Sequence, residues 1–202
     1  MKISHIKTPI YQGQFSKSKE WKLAKKQVLN AVRLVDWPPG SGSFTINPQS
    51  GKKRGEGNGV KPIKAAAIKY LAEKGWKPEH PWPVGRRVRP GNMDAACKTS
   101  KGLVAFEWET GNVSSSHRSL NKMALGLLSG SLVAGILVIP SRKLYPFLTD
   151  RIGNYDELKP YFPLWSSTPC QEGVLEILVI EQDAESFEVP RIPKGTDGRA
   201  VS

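Results

Sequence analysis

Cysteines and long apolar runs are scarce in this chain. Only two of its 202 residues are cysteines, Cys97 and Cys170, and they lie far apart. Two distant thiols exclude a disulfide framework and a cysteine metal cluster, so we expect both to be reduced. The longest apolar run, residues 132–140, is too short for a membrane-spanning helix, which needs about 20 apolar residues. Because the first residues contain no apolar stretch suited to a signal peptide, the sequence predicts a cytoplasmic protein.

Several catalytic motifs are also absent. The chain has no Gly-x-Ser-x-Gly element of a serine hydrolase and no Walker or dinucleotide-binding loop. Its glycine-rich basic loop, residues 51–59, lacks the Lys-Ser or Lys-Thr ending of a P-loop. The histidines His5, His80 and His117 do not have the spacing of metal ligands.

Acidic residues are few relative to basic ones. The chain carries 30 Lys and Arg against 18 Asp and Glu, a net charge of +12. Residues 1–101 hold 21 basic and 6 acidic residues, whereas residues 102–202 hold 9 and 12. A basic half indicates a polyanionic partner, most often nucleic acid, although a solvated basic face has the same composition.

The apolar pattern predicts one α/β domain with a mixed sheet over residues 1–202, and a polar tail from residue 190 to residue 202. Residues 77–93 are rich in Pro and Arg and are predicted to be irregular. The predicted helices are 18–35, 62–74, 114–128, 141–148 and 155–161, and the predicted strands are 43–47, 103–109, 132–140 and 174–181.

Three carboxylates give the strongest indication of chemistry. Glu107 and Glu109 stand two residues apart on a predicted strand, so both point to the same face, and Asp94 precedes that strand. Acids on an apolar strand are costly to bury, and a divalent cation would remove that cost. The pattern favours metal-assisted phosphodiester hydrolysis, in which an ion stabilises charge on the phosphate and activates a water. The alternative is a strand with a solvated outer face.

Two polar clusters predict contacts to DNA. Residues 111–118 leave the strand and start a helix, with Ser114, Ser115 or Ser116 as the expected N-cap. Such a helix start offers backbone N–H groups, amides and hydroxyls to phosphates and bases. Residues 149–151 end in Asp and Arg, which suit cytosine and guanine. Ordinary capping and a local ion pair are the alternatives for these two clusters.

One segment is specific enough to indicate a family: Glu107-Trp108-Glu109-Thr110-Gly111-Asn112-Val113-Ser114-Ser115-Ser116-His117-Arg118. Supporting segments are residues 44–47, 58–64, 89–94, 145–162 and 192–198. Over residues 37–198 the chain resembles the BamHI and OkrAI family of type II restriction endonucleases, a branch of the PD-(D/E)xK nucleases.

The resemblance implies a PD-(D/E)xK fold with a five-stranded mixed sheet flanked by helices. It implies a homodimer, paired through helix 115–128, that cleaves double-stranded DNA at the palindrome GGATCC after the first G and leaves 5′-phosphates. A bacterial cytoplasm is the implied location. A companion DNA methyltransferase is implied by the function, with no need to bind this chain.

The resemblance also assigns the catalytic acids, which are Asp94, Glu107, Glu109 and Glu79. The implied Mg²⁺ ligands are Asp94, Glu107, Glu79 and the backbone carbonyl of Trp108, with two ions per site, Mn²⁺ as a substitute and Ca²⁺ as an inhibitor. Glu109 falls where most PD-(D/E)xK nucleases carry lysine, and its implied role is to activate the attacking water.

The implied DNA-binding residues form three groups: readers of the major groove, a lysine near the DNA backbone and the site, and a tail that reaches the minor groove. In that order they are Asn112, Ser114, Arg118, Asp150 and Arg151; Lys64; and Lys194, Gly195, Asp197 and Gly198 within residues 192–199.

Two other functions fit part of the pattern. A non-catalytic DNA-binding protein would explain the basic half and residues 112–118, but the four acids argue against it. A nuclease with another recognition site would keep the acids. The five implied base readers match by residue type, which argues against that alternative, although readout through DNA shape can still differ.

Overall fold

The computed structural model of the chain describes residues 1–52, 56–83, 91–109, 111–149 and 152–194. Strands and helices mix along these parts of the chain. The strands are β1 (Lys2–Gln12), β2 (Thr45–Ile46), β3 (Lys77–Pro81), β4 (Asn92–Thr99), β5 (Gly102–Trp108), β6 (Leu132–Pro140), β7 (Gly173–Glu181) and β8 (Ala184–Glu185). The α-helices are α1 (Lys19–Arg33), α2 (Lys61–Glu73), α3 (Val113–Leu128), α4 (Tyr155–Leu158) and α5 (Phe162–Ser166).

Six of these strands form one mixed sheet in the order β1-β7-β6-β5-β4-β3. The central pairs β5–β6 and β6–β7 are parallel, and the outer pairs are antiparallel. Strands β2 and β8 form a separate parallel pair. The predicted α/β class with a mixed sheet flanked by helices is confirmed, with six strands in place of five.

The centre of the sheet follows from its composition. β6 has the sequence Leu-Val-Ala-Gly-Ile-Leu-Val-Ile-Pro, and all nine residues are buried. A continuous apolar run is typical of a parallel strand that is covered on both faces. The predicted strand 132–140 is therefore confirmed to the residue, and predicted strand 174–181 is β7, which begins one residue earlier.

Helices cover both faces of the sheet. On one face, α1 and α2 pack on Val104, Phe106 and Trp108 of β5. On the other face, α3 and α5 pack in a core that contains Ala105 of β5. Helix α1 begins where predicted, because the side chain of Ser18 accepts a hydrogen bond from the Trp21 N–H.

Three strands of the six-stranded sheet, β1, β3 and β4, were missed by the sequence interpretation, and β1 and β3 lie at its edges. β1 was not predicted, and β3 and the start of β4 fall within the stretch predicted to be irregular. β1 contains Pro9, and β3 has the sequence Lys-Pro-Glu-His-Pro. Edge strands tolerate proline and charge because one side of the strand needs no pairing, so their composition is like that of a loop.

The predicted helix 141–148 is wrong, since only a 3₁₀ turn forms at Tyr145–Phe147. The Ser141 hydroxyl accepts hydrogen bonds from the Lys143 and Leu144 N–H groups, which closes a local turn instead of a helix. The predicted helix 155–161 is α4 followed by a second 3₁₀ turn, Lys159–Tyr161.

Two further observations bear on the sequence predictions. Cys97 and Cys170 are both free thiols. In the described ranges of the chain, no helix is long and apolar enough to cross a membrane.

Candidate active site

Acidic residues from three neighbouring strands lie in one row across the sheet. β4 pairs with β5 through Ala95 and Phe106, and one step further in this antiparallel register sets Asp94 beside Glu107. β3 pairs with β4 on both sides of Glu79, which sets Glu79 opposite Asp94. The register therefore brings three of the four predicted catalytic acids to the same end of the sheet.

Glu107 is the most deeply buried of these acids, with 9% of its surface exposed. It alternates with Phe106 on β5 and so faces the core beneath α3. Burial, followed by the negative charge of Asp94, raises the pKa of Glu107 to about 8. The ionised form is disfavoured mainly by burial, and the positive charge of Lys122 opposes this rise only in part.

Asp94 is held by groups from two other elements. The Lys64 ammonium of α2 donates to Oδ1 of Asp94 at 2.6 Å. The Trp108 N–H of β5 donates to Oδ2 of Asp94 at 2.8 Å. The carboxylate is thereby fixed between the two neighbouring strands and the helix that covers them.

Glu109 lies one residue beyond the end of β5, and not on the strand as predicted. Its N–H still donates to the Val138 carbonyl of β6 at 2.9 Å, so its backbone remains attached to the sheet. Its Oε1 accepts the Gly111 N–H at 2.8 Å, and its Oε2 accepts the Ser119 hydroxyl of α3 at 3.4 Å. Glu109 thus links the strand end to the helix that follows.

Glu79 differs from the other three acids. It is exposed on the edge strand β3, and its φ of 49° is the only positive value of a non-glycine residue in the described ranges of the chain. A left-handed residue interrupts the regular alternation of a strand. The pattern of residues 77–83 gives no signal of this backbone turn.

The donor set of this site fits a hard divalent cation. Asp94, Glu107, Glu109 and Glu79 offer only oxygen atoms, which Mg²⁺ prefers. The raised pKa of Glu107 and the Lys64 ammonium at Asp94 both mark a place where the acids need a cation. Among the described residues, no group of three or more Asp, Glu, His or Cys side chains is arranged to hold an ion as it stands.

The predicted DNA readers on α3 lie beside the acids. The N-cap is Asn112, whose Oδ1 accepts the Ser115 N–H at 3.2 Å, and not one of the serines as predicted. Asn competes well with Ser for this position because its side-chain oxygen has the same reach. Asn112, Ser114 and Arg118 are all exposed, as a DNA-contacting surface requires.

Asp150 and Arg151 lie outside the described residues, as do Gly195, Asp197 and Gly198. The described segment that begins at residue 152 contacts the start of α3. The Gly153 N–H donates to the Gly111 carbonyl at 2.9 Å, so the segment after residue 151 lies beside the start of α3.

Lys194, the described member of the predicted tail group, is exposed, and its ammonium donates to the Glu56 carbonyl at 2.6 Å. The beginning of the tail, residues 191–194, therefore packs on the loop that follows β2.

Asn58 is a structural residue that the sequence interpretation did not single out. It is fully buried, and its amide donates to the carbonyls of Asn47 and Phe147, both at 2.8 Å. Its Oδ1 accepts the Ile192 N–H at 3.0 Å. One side chain thus joins three distant segments near the site, and no local sequence signal identifies such long-range partners.

Lys122 and Trp82 were also missed. The Lys122 ammonium lies 5.0 Å from the centre of the Trp82 ring, and its charge acts on both Glu107 and Glu109. The spacing of Lys122, four residues after Arg118 on α3, was a usable signal, because residues four apart share a helix face.

Comparison with known proteins gives a consistent result. The sequence profile of the family "Restriction endonuclease BamHI" matches residues 1–199. The type II restriction enzyme OkrAI of Oceanobacter kriegii is 43% identical over 201 residues, which are 100% of both chains. The type II restriction enzyme BamHI of Bacillus amyloliquefaciens is 35% identical over 192 residues, 91% of this chain and 85% of the relative.

Solved structures show the same fold at low identity. The restriction endonuclease BglII complexed with a DNA 16-mer has a TM-score of 0.57 at 12% identity, covering 91% of this chain and 79% of the other. Free BglII has a TM-score of 0.50 at 13% identity, covering 91% and 81%. The family match and the two relatives rule out a non-catalytic DNA-binding protein and show a site-specific deoxyribonuclease. The chain belongs to the BamHI family of type II restriction endonucleases.

Proposed function

We propose that this enzyme is a Mg²⁺-dependent homodimer that cuts double-stranded DNA at GGATCC after the first G and leaves 5′-phosphates. The observation that carries the chemistry is the row of Glu79, Asp94 and Glu107 across three strands, with Glu109 directly beyond the row. The relatives named OkrAI and BamHI support the recognition site, because they are 43% and 35% identical to this chain over most of its length. The cell that makes such an enzyme needs a companion methyltransferase to protect its own sites.

In this proposal Asp94, Glu107, Glu79 and the Trp108 carbonyl hold the metal, with two ions per site. When bound, the ion stabilises negative charge on the phosphate and lowers the pKa of a bound water. Lys64, which donates to Asp94 Oδ1 in this structure, would face the DNA backbone. Glu109, held by Gly111 and Ser119, accepts a proton from the attacking water and orients it.

The base readers of this proposal are Asn112, Ser114, Arg118, Asp150 and Arg151, and the tail from Lys194 reaches the minor groove. Exposed polar side chains at the start of α3 support this assignment, because the start of a helix enters a groove more easily than its middle. The hydrogen bond between Gly153 and Gly111 supports a joint reading surface, since it joins the described segment after residue 151 to the start of α3.

The homodimer of this proposal pairs through α3 and α5. Leu125 and Leu128 of α3 are each 50% exposed, and Leu164 of α5 is 63% exposed. Apolar side chains of this size on adjacent helices favour a protein contact over solvent. A twofold axis there would also present the α3 reader segment twice, as a palindrome demands.

Cleavage of plasmid DNA tests the function directly. With Mg²⁺ the purified protein is expected to linearise a plasmid that carries one GGATCC site, and sequencing of the ends should place the cut after the first G. A plasmid in which this site is changed at one base pair is the control. An intact GGATCC plasmid under several buffer conditions, or cuts at another sequence, would contradict the proposal.

The role of Glu109 is tested by Glu109→Gln, which keeps a carbonyl that can accept the Gly111 N–H. Loss of the base is expected to slow cleavage by at least ~10²-fold, while DNA binding in Ca²⁺ stays near that of the wild type. Glu73→Gln, at an exposed acid near the end of α2, is the matched control and should leave both unchanged. Wild-type cleavage by Glu109→Gln would remove Glu109 from the chemistry.

Arg118→Ala tests base recognition. Loss of a bidentate contact to guanine is expected to weaken binding to GGATCC DNA by about 1–3 kcal/mol and to change binding to random DNA much less. Arg33→Ala, at an exposed arginine near the end of α1, should change neither affinity. An equal loss on both DNAs, measured by fluorescence anisotropy in Ca²⁺, would make Arg118 a phosphate contact.

The pKa of Glu107 predicts how stability depends on pH without metal. The ordinary pKa is 4.5, and the folded value is about 8, so between these values the folded protein holds a proton that the unfolded chain has lost. The free energy of unfolding should therefore fall as pH rises through this window. Urea unfolding in EDTA should show a smaller fall for Glu107→Gln, and Ca²⁺ should restore stability at pH 8. An equal pH dependence of the free energy of unfolding in the wild type and in Glu107→Gln would contradict this prediction.

A further inference from the structure

Lys122 lies next to both the acidic residues and the predicted DNA-contacting surface at the start of α3. It lies on α3 and lines an open groove together with Ser114 and Arg118, the predicted readers of DNA. Burial lowers the pKa of its ammonium, and the negative charges of Glu107 and Glu109 oppose that shift in part. The same ammonium therefore lies between the acid cluster and the surface on which DNA is proposed to bind.

Trp82 fixes the position of this ammonium. The Lys122 Nζ lies 5.0 Å from the centre of the indole ring, a distance suited to a cation–π contact. The ring is 7% exposed and packs in the core beneath α3, with Leu120 and Met123. Its buried N–H has no hydrogen-bond partner among the described residues, so packing holds the ring.

The two lysines of the site have different partners. Lys64 is bound to Asp94 at 2.6 Å. Lys122 comes from the opposite face of the sheet and is half-buried, and burial is the main cause that lowers its pKa. A half-buried ammonium that has lost part of its water is a strong partner for an incoming anion, since it gives up little hydration when the anion binds.

We propose that Lys122 is a catalytic residue that contacts the phosphate of the cleaved bond, and that Trp82 is the residue that positions it. This inference rests on the proposed function. As the oxygen of water bonds to phosphorus and the 3′ oxygen leaves with the bond electrons, the Lys122 ammonium donates a hydrogen bond to a non-bridging phosphate oxygen. It stabilises the negative charge that develops there and transfers no proton.

The test compares Lys122→Met, which keeps the length of the side chain without its charge, with Lys122→Arg. Single-turnover cleavage in Mg²⁺ should slow by ~10²–10³-fold for Lys122→Met, the effect of removing one preorganised donor, and Lys122→Arg should recover part of the rate. Equilibrium binding to the same DNA in Ca²⁺ should change only a few-fold, which also shows that the variant is folded. Lys26→Met, at an exposed lysine of α1, is the matched control.

Two further readouts separate a contact to the phosphate from a structural role. Sulfur in place of a non-bridging oxygen at the cleaved bond should slow the wild type more than it slows Lys122→Met, because the variant has already lost the contact. Trp82→Leu should slow cleavage, and Trp82→Phe, which keeps an aromatic face, should retain more of the rate.

Each contrary outcome has a defined meaning. An equal effect of sulfur on both proteins, a parallel loss of DNA binding, or a wild-type rate for Lys122→Met would overturn this inference alone. A wild-type protein that cuts no DNA would overturn the proposed function and the inference together.

Discussion

The carboxylates of Asp94 and Glu107 lie side by side in the antiparallel register of β4 and β5, at a place that water hardly reaches. Burial disfavours the charged form of Glu107, the negative charge of Asp94 disfavours it further, and the raised pKa of Glu107 reflects both costs. The rest of the site is arranged around this constraint. Lys64 and the Trp108 N–H neutralise Asp94, and Lys122 approaches from the opposite face of the sheet. A buried acid beside a second, half-buried acid does not favour stability, so their arrangement points to a cation that binds during function.

The segments that meet at this site come from distant parts of the sequence, and a few polar contacts hold them in place. Asn58 ties the loop after β2, the 3₁₀ turn before residue 149 and the beginning of the tail to one another. Glu109 ties the end of β5 to α3, and the Gly153–Gly111 hydrogen bond ties the segment after residue 151 to the same helix start. The end of β5 with Glu109, the start of α3 and the segment after residue 151 therefore belong to one connected framework.

Much of this arrangement could be predicted from the sequence, and the misses have physical causes. The apolar run of β6 and the capped start of α1 are local signals, and both were predicted closely. The edge strands β1 and β3 were missed because proline and charged residues are tolerated where a strand pairs on one side only. Glu79 was found through family resemblance alone, since neither its left-handed backbone nor its place opposite Asp94 has a local sequence signal.

By itself, the sequence determined the α/β class, the central strands, the start of α3 to within one residue and the family, because each depends on residues close together in the chain. Only the tertiary structure decided how the acids are used. Strand pairing chose which carboxylate lies beside which, burial made Glu107 unlike Asp94, and the end of β5 placed Glu109 outside the strand on which it was predicted. The tertiary structure also decided the contact between Lys122 and Trp82, which are 40 residues apart in the sequence. Their contact exists because Trp82 and α3 pack in the same core, and no pattern within either segment contains that fact.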